Sequence, residues 1–316
     1  MTSASLRPPK RPPKRTSRPL SLAALRREFH TAFKAGKGGA WKPRSASPGP
    51  PYWVFLATRL ASPRRGGKRP HGGAMDGFID NVLWAQYCLF MFIRLQDDLF
   101  DGHVRSPSII LLSDQFLWEA EEVLGRYFPR SPAFWTMFRR CMRDTTRAIL
   151  QVDALQRTCS RSGRTLLPLY ARVDSVFMIS LFAVCIRYRR RAAFGLIKKF
   201  VHEVAEGSQI LDDLADVSED LERGRFNYAA RVLLGNCRKR GPAGASLVRR
   251  ALHNLHFTPR GSGLLDEASR HFAAAGKALR ALRIRDGGQF TQGYMLLLEQ
   301  IRKQLHRKTV KYLFAA

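Results

Sequence analysis

Two clusters of acids interrupt an otherwise basic sequence. The first, Arg94-Leu95-Gln96-Asp97-Asp98-Leu99-Phe100-Asp101, places Asp97 and Asp101 four residues apart with Asp98 beside them. The second, Gln209-Ile210-Leu211-Asp212-Asp213-Leu214-Ala215-Asp216-Val217-Ser218-Glu219-Asp220, sets Asp212, Asp216 and Asp220 at i, i+4 and i+8. On a helix these spacings bring the carboxylates onto one face. Like charges so placed repel, and the C-terminal end of a helix dipole disfavours anions. A cation between the carboxylates relieves both costs. Hard oxygen ligands of this kind suit Mg2+, which completes its shell with water and phosphate oxygens. The candidate metal ligands are therefore Asp97, Asp98, Asp101, Asp212, Asp213, Asp216 and Asp220.

One acidic cluster at a helix end is most often a solvated face. Two change the odds, because together they hold eight of the 24 acids that follow residue 75. Two such helices facing each other would cage metal ions. With a basic rim the cage would bind a diphosphate through alternating anion, metal and anion.

The elements that must position these residues read as helices. Apolar periodicity broken by short Gly, Pro and Ser joints predicts helices near 76–101, 107–127, 131–158, 165–190, 192–223, 226–236, 244–255, 263–282 and 289–313. Pro107, Pro129, Pro132, Pro168 and Pro259 fall at or near element starts, and Gly224 and Gly235 suit helix ends. Strand signals are scarce, and there is no repeat at a fixed period. Several helices are apolar on more than one side and must lie inside a large bundle. The fold class is all-α. The longest purely apolar stretch is shorter than the 18 or so residues of a membrane span, and the dense segment Val82–Ile93 reads as a buried helix.

Charge divides the 316-residue chain. Lys and Arg number 54 against 25 Asp and Glu, a net charge of +29. Residues 1–75 hold 17 of the bases and one acid, Glu28, within Pro-, Gly- and Ser-rich sequence. Residues 1–50 are expected to be a mostly disordered basic arm, and 51–316 a single helical domain. Two islands could order, Ser21–Lys34 and Tyr52–Leu60, the latter docking through Trp53 and Phe55. The arm's Pro density spoils the amphipathic helix of an organellar transit peptide, so a cytoplasmic location is expected, with organellar targeting left open. Five scattered cysteines without a C-x-x-C pair suggest reduced core thiols.

The pair Asp97-Asp98-Leu-Phe-Asp101 and Asp212-Asp213-Leu-Ala-Asp216, 115 residues apart, resembles the two aspartate-rich motifs of class I isoprenoid synthases. The run Asp216-Val-Ser-Glu-Asp220-Leu-Glu-Arg-Gly-Arg225-Phe-Asn-Tyr228 is similar to the squalene/phytoene synthase pattern, in which D-x-x-x-D is followed by Arg at +5. Arg94 matches an Arg that this group uses on diphosphate. Gln209-Ile-Leu-Asp212-Asp213 looks more like the polyprenyl synthases. The resemblance covers roughly 75–235. It implies a helical bundle of the isoprenoid synthase type around a central cavity, three Mg2+ ions and an allylic prenyl diphosphate substrate. It also implies catalytic roles for Asp97, Asp101 and Asp216, and diphosphate or substrate contacts for Arg94, Arg105, Arg225 and Tyr228. The departures are specific. A single Arg105 stands where polyprenyl synthases carry an Arg-Arg pair. Their Lys-Thr has no match in Tyr170-Ala-Arg172-Val-Asp174-Ser175-Val. Gly66-Gly67-Lys68-Arg69 imitates their isopentenyl diphosphate loop, but lies only 31 residues before Asp97 in Gly/Arg-rich sequence.

The expected function is Mg2+-dependent ionisation of an allylic prenyl diphosphate and its joining to a second prenyl unit. A terpene cyclase of the same fold, acting on one diphosphate, is the alternative. Phe90, Phe92 and Ile93 are candidates for the hydrocarbon wall, and His103 for a base. A homodimer and peripheral membrane contact are compatible with the sequence. Non-catalytic nucleic-acid or membrane binding through the arm ranks third, because it leaves both Asp clusters without a role.

Overall fold

The chain was analysed as a computed structural model, which describes residues 26–27, 51–61, 74–100, 106–159, 165–235, 239–240, 244–284 and 286–314. Within these residues the helices are α1 (Tyr52–Ala61), α2 (Ala74–Phe100), α3 (Ile109–Tyr127), α4 (Pro132–Gln156), α5 (Leu166–Val173), α6 (Met178–Arg187), α7 (Phe194–Ala215), α8 (Val217–Glu222), α9 (Tyr228–Leu234), α10 (Ala245–Phe257), α11 (Pro259–Ala281) and α12 (Gly287–Phe314). The all-α expectation holds. The one addition is a two-residue antiparallel ladder, Thr158–Cys159 against Lys239–Arg240.

Local chemistry sets the helix boundaries. Ser131 caps α4 by accepting from the Phe134 amide, with Pro132 at the first position, and Thr258 does the same for α11 ahead of Pro259. Asn227 caps α9 through the Ala230 amide at 2.8 Å. Gly224 (φ 78°) and Gly235 (φ 65°) close α8 and α9 in the left-handed region, where a side chain would be strained.

Two helices that the sequence presents as continuous are broken. Residues 165–190 form α5, a 3-10 turn (Asp174–Phe177) and α6. The break coincides with tertiary contacts. Thr145 Oγ1 donates to the Val173 carbonyl at 3.0 Å, and Tyr52 donates to Asp174 Oδ2 at 2.7 Å. Residues 192–223 break at Asp216 into α7 and α8, yet the i to i−4 bonds continue across it: Asp216 N to Asp212 O is 3.0 Å and Asp220 N to Asp216 O is 2.9 Å.

One contiguous apolar core runs from Trp53 to Leu298. Helix α11 packs most extensively on α7, α3 on α2, α12 on α11, and α5 on α4 and α7. Gly77–Phe100 and Leu166–Arg187 are long and apolar enough to cross a membrane, which the count of purely apolar residues did not register. Both are core segments here, buried over more than half of their apolar windows, and the second contains the 3-10 turn. Cys88, Cys141 and Cys185 are free and buried, as expected of core thiols, and burial pushes Cys141 and Cys185 up to about 12. Helix α1 forms as expected, with Trp53 and Phe55 buried. Of residues 1–50 only helical Arg26 and Arg27 are described. Arg26 donates to Asn81 Oδ1 (2.7 Å), pairs with Glu119 (3.3 Å) and stacks over Trp84.

Candidate functional site

Helix α2 changes character along its length. Val82 to Leu89 are all buried, whereas Phe90 to Leu99 are all half-buried, on every side of the helix. Met91, Phe92, Ile93 and Leu95 pack against the apolar core from this half-open stretch, beside Arg94, Asp97 and Asp98. Among the described residues α2 and α7, which carry the two acidic segments, make no extensive contact with each other. Both pack on the Asp174–Phe177 turn and on α6, which hold them apart. The floor of the gap is aromatic. Phe177 stacks on Trp53 (6.0 Å) and on Phe90 (6.1 Å), and Tyr52 meets it edge-on at 5.6 Å.

On the α2 side, Arg94 lies 3.5 Å from Asp97 and 2.8 Å from Asp98. Both are intrahelical pairs at i+3 and i+4, which hold the two carboxylates beside a guanidinium. Asp101, His103, Arg105 and the Gly66–Arg69 segment lie outside the described residues.

On the α7 side the acids separate by environment. Asp212 is half-buried, and its carboxyl is pushed up to about 7, first by burial and then by the charges of Asp216 and Asp174. Asp216 is exposed and is also raised, by burial of the acid and by Glu219, against the opposing pull of Arg223. Asp220 accepts from Asn227 Nδ2 at 2.7 Å, and the Arg225 amide folds back onto the Asp220 carbonyl at 2.7 Å.

Two of the expected site residues are engaged within the protein. Asp213 is buried, and three protein donors occupy its oxygens: Gln209 Nε2 at 2.9 Å, the Tyr228 amide at 2.7 Å and the Tyr170 hydroxyl at 3.1 Å. Burial raises its carboxyl to about 7 in spite of these bonds. It ties α7 to α5 and α9, and Tyr170 in turn accepts from Gln156 of α4. The Asp213 oxygens thus serve the framework that joins these helices. Tyr228 is likewise buried, and its hydroxyl donates to the Glu267 carboxylate, 2.9 Å from each oxygen, which engages it with α11.

Sequence reasoning missed Asp174. It follows α5, its charge acts on Asp212, and burial raises its own carboxyl to about 6 despite the Tyr52 hydrogen bond. A lone Asp in an apolar segment gave no signal, because the break that places it beside Asp212 coincides with contacts distant in sequence.

The remaining acids, Asp97 and Asp98 on α2 and Asp212, Asp216 and Asp220 along α7 and α8, offer oxygen ligands only. That set fits Mg2+: hard ligands, partial hydration and mutual repulsion for a cation to relieve. An apolar groove of about 720 Å³, lined by Leu211, Leu214, Leu252, Leu255, Ile301 and Lys308, runs between α7–α8, α10 and α12. No acidic side chain lines it, so it is separate from the carboxylate site.

No family model matches the chain, and no curated protein is similar to it in sequence. Solved structures share its fold. Octaprenyl pyrophosphate synthase from Helicobacter pylori superposes with a TM-score of 0.63 at 12% identity, over 86% of this chain and 96% of that one. A polyprenyl synthase from Caulobacter crescentus, complexed with calcium and isoprenyl diphosphate, gives 0.62 at 14% identity over 86% and 94%. Geranylgeranyl pyrophosphate synthetase from Pyrococcus horikoshii gives 0.59 at 15% identity over 90% of each chain. The chain therefore has the all-helical fold of the polyprenyl pyrophosphate synthases, as its aspartate motifs implied.

Proposed function

We propose that this protein is a Mg2+-dependent, class I isoprenoid synthase, a transferase that ionises an allylic prenyl diphosphate and joins the prenyl group to a second prenyl unit. The observation that carries the reading is that the helices bearing the two acidic segments both pack on the Asp174–Phe177 turn and on α6, beside an aromatic cluster; in this reading they face one cleft. The fold shared with the octaprenyl, polyprenyl and geranylgeranyl pyrophosphate synthases supports it, and the Caulobacter protein is complexed with calcium and isoprenyl diphosphate.

In this reading Asp97 and Asp98 on one wall, and Asp212, Asp216 and Asp220 on the other, hold the metal ions, with Asp101 completing the first motif. Bound Mg2+ would supply the positive charge that stabilises the departing pyrophosphate. Arg94, already paired with Asp97 and Asp98, adds a fixed cation beside that oxygen set, and Arg105 and Arg225 are proposed to do the same. The half-buried run Phe90–Ile93, with Phe177 and Tyr52, gives the prenyl chain an apolar, water-poor bed, and the ring faces stabilise developing positive charge. Asp213 keeps Asp212 in place by anchoring α7 to its neighbours.

Incubation with geranyl, farnesyl or geranylgeranyl diphosphate and Mg2+, with and without isopentenyl diphosphate, tests the reading. Pyrophosphate release with a longer or condensed product is expected. Asp97→Ala and Asp216→Ala should each cut the rate by about 100-fold or more. Pyrophosphate release unchanged in both variants would sink the metal cage.

A second reading, cyclisation of one diphosphate, is favoured by one observation. Asp174 places a carboxylate near Asp212, and a second anionic diphosphate beside it would be repelled. A hydrocarbon or alcohol formed from one diphosphate alone would select this reading.

A further inference from the structure

Helix α7 carries a second constellation on its other side. Glu203 lies nine residues before Asp212, about two and a half turns, and so projects from the face opposite the cleft. There Glu203 and Glu206, one turn apart, meet His271 of α11. His271 Nδ1 is 2.9 Å from Glu203 Oε2 and 3.3 Å from Glu206 Oε2. One ligand atom from each of the three lies within 4.8 Å of the other two. We propose that Glu203, Glu206 and His271 bind a first-row divalent cation of the Zn2+ or Mn2+ kind, at a site separate from the aspartate cleft.

Four features support the assignment. The donors are of two chemical kinds and come from two helices. An imidazole nitrogen with two carboxylates suits first-row metals rather than Mg2+ or Ca2+, which take oxygen alone. Separations of 2.9 and 3.3 Å are also the spacings of adjacent donors around an ion with bonds of about 2.0–2.2 Å. The helices are built to close at this point. A Cβ on Gly207 would meet the Phe272 ring at 2.9 Å and His271 Cβ at 3.2 Å, so only glycine lets α11 bring His271 down onto Glu203 and Glu206.

Charge and access point the same way. Glu267, one turn before His271 on α11, adds a third acid whose charge acts on Glu206. Burial is the main cause that raises the Glu206 carboxyl, and a cation would reverse it. The three side chains keep 19–23% of their surface exposed, which gives an ion a way in. Glu267 also holds the Tyr228 hydroxyl, whose backbone amide donates to Asp213. An ion here would therefore pin α7 to α11 just behind the second aspartate motif.

The test uses the full chain, stripped of metal by chelator and dialysed. Calorimetric titration with ZnCl2 and with MnCl2 is run in excess Mg2+, which occupies oxygen-only sites. One site per chain is expected, together with a rise in Tm. Glu206→Gln and, separately, His271→Gln should weaken binding by 10- to 100-fold or more and abolish the Tm rise. Tm in chelator confirms that each variant is folded, and Glu206→Gln serves if His271→Gln does not fold. An Asp97→Asn/Asp216→Asn double variant should retain the site, which makes the result independent of the prenyl diphosphate reading. Absence of a Zn2+ or Mn2+ site in the wild type, or binding unchanged in Glu206→Gln, overturns the proposal and leaves His271 as an ion-pair partner only.

Discussion

Asp212 and Asp213 are adjacent in sequence and opposite in employment. Asp213 is buried under three protein donors, while Asp212 looks onto the cleft and feels Asp216 and Asp174. Replacing Asp213 by Ala strands the buried Tyr228 amide and Tyr170 hydroxyl and removes the acceptor of the half-buried Gln209 amide. At about 1–3 kcal/mol for a buried group left without a partner, the variant should lose about 3 kcal/mol in urea unfolding. Asp216→Ala, on the exposed side, should move stability by no more than about 0.5 kcal/mol while removing activity. Equal destabilisation by both would contradict this division. The repeat of aspartates was plain from the sequence, but the side that each one takes was not. A period of 3.6 residues groups Asp212 with Asp216 and Asp220 and sets Asp213 a hundred degrees round. It does not say that Gln209, Tyr170 and the Tyr228 amide wait there, because two of these partners come from helices distant in sequence.

At the scale of elements, the expected helices form, and the errors are breaks rather than changes of type. The pattern over 165–190 remains apolar through Asp174–Phe177, so periodicity alone continues the helix. Tertiary bonds from Thr145 and Tyr52 coincide with the turn that separates α2 from α7. Close helix approach is set instead by glycines, which sequence reading treated only as helix ends. Gly261, in the first turn of α11, is the sharpest case, since a Cβ there would sit 2.0 Å from the Leu255 carbonyl oxygen of α10. Backbone, unlike a side-chain tip, cannot swing away. Gly261→Ala should therefore cost about 3 kcal/mol, more than offsetting the roughly 1 kcal/mol by which Ala favours a helix. Gly263→Ala, with nothing within 4 Å, should be neutral or stabilising in the same thermal scan. The pair separates close packing from helix propensity, and a Gly261→Ala protein as stable as wild type would remove the packing argument.

At the scale of the molecule, a chain of net charge +29 concentrates buried acids in one place. Burial raises Asp174 to about 6 and Asp212 and Asp213 to about 7. A carboxyl raised in the folded state keeps its proton at pH values where the unfolded chain has released it. The metal-free protein thus gains stability from these groups below the ordinary carboxylate range, and loses it as pH climbs from about 4 through 7. Acid unfolding at other carboxylates, and His202 and His256, whose imidazoles burial lowers, act in the opposite sense. The comparison must therefore be with Asp212→Asn, which should show a flatter decline of Tm between pH 5 and 8. The same linkage governs the metal. At pH 5.5 Mg2+ with pyrophosphate must displace the Asp212 proton, whereas at pH 7.5 the carboxylate is mostly free to accept it. The rise in Tm on adding Mg2+ and pyrophosphate should consequently be larger at pH 7.5 than at pH 5.5 in the wild type, and nearly independent of pH in Asp212→Asn. A wild-type rise that is the same at both pH values would mean that Asp212 does not face the ion. The buried charge of the second motif would then belong to the framework, as that of Asp213 does.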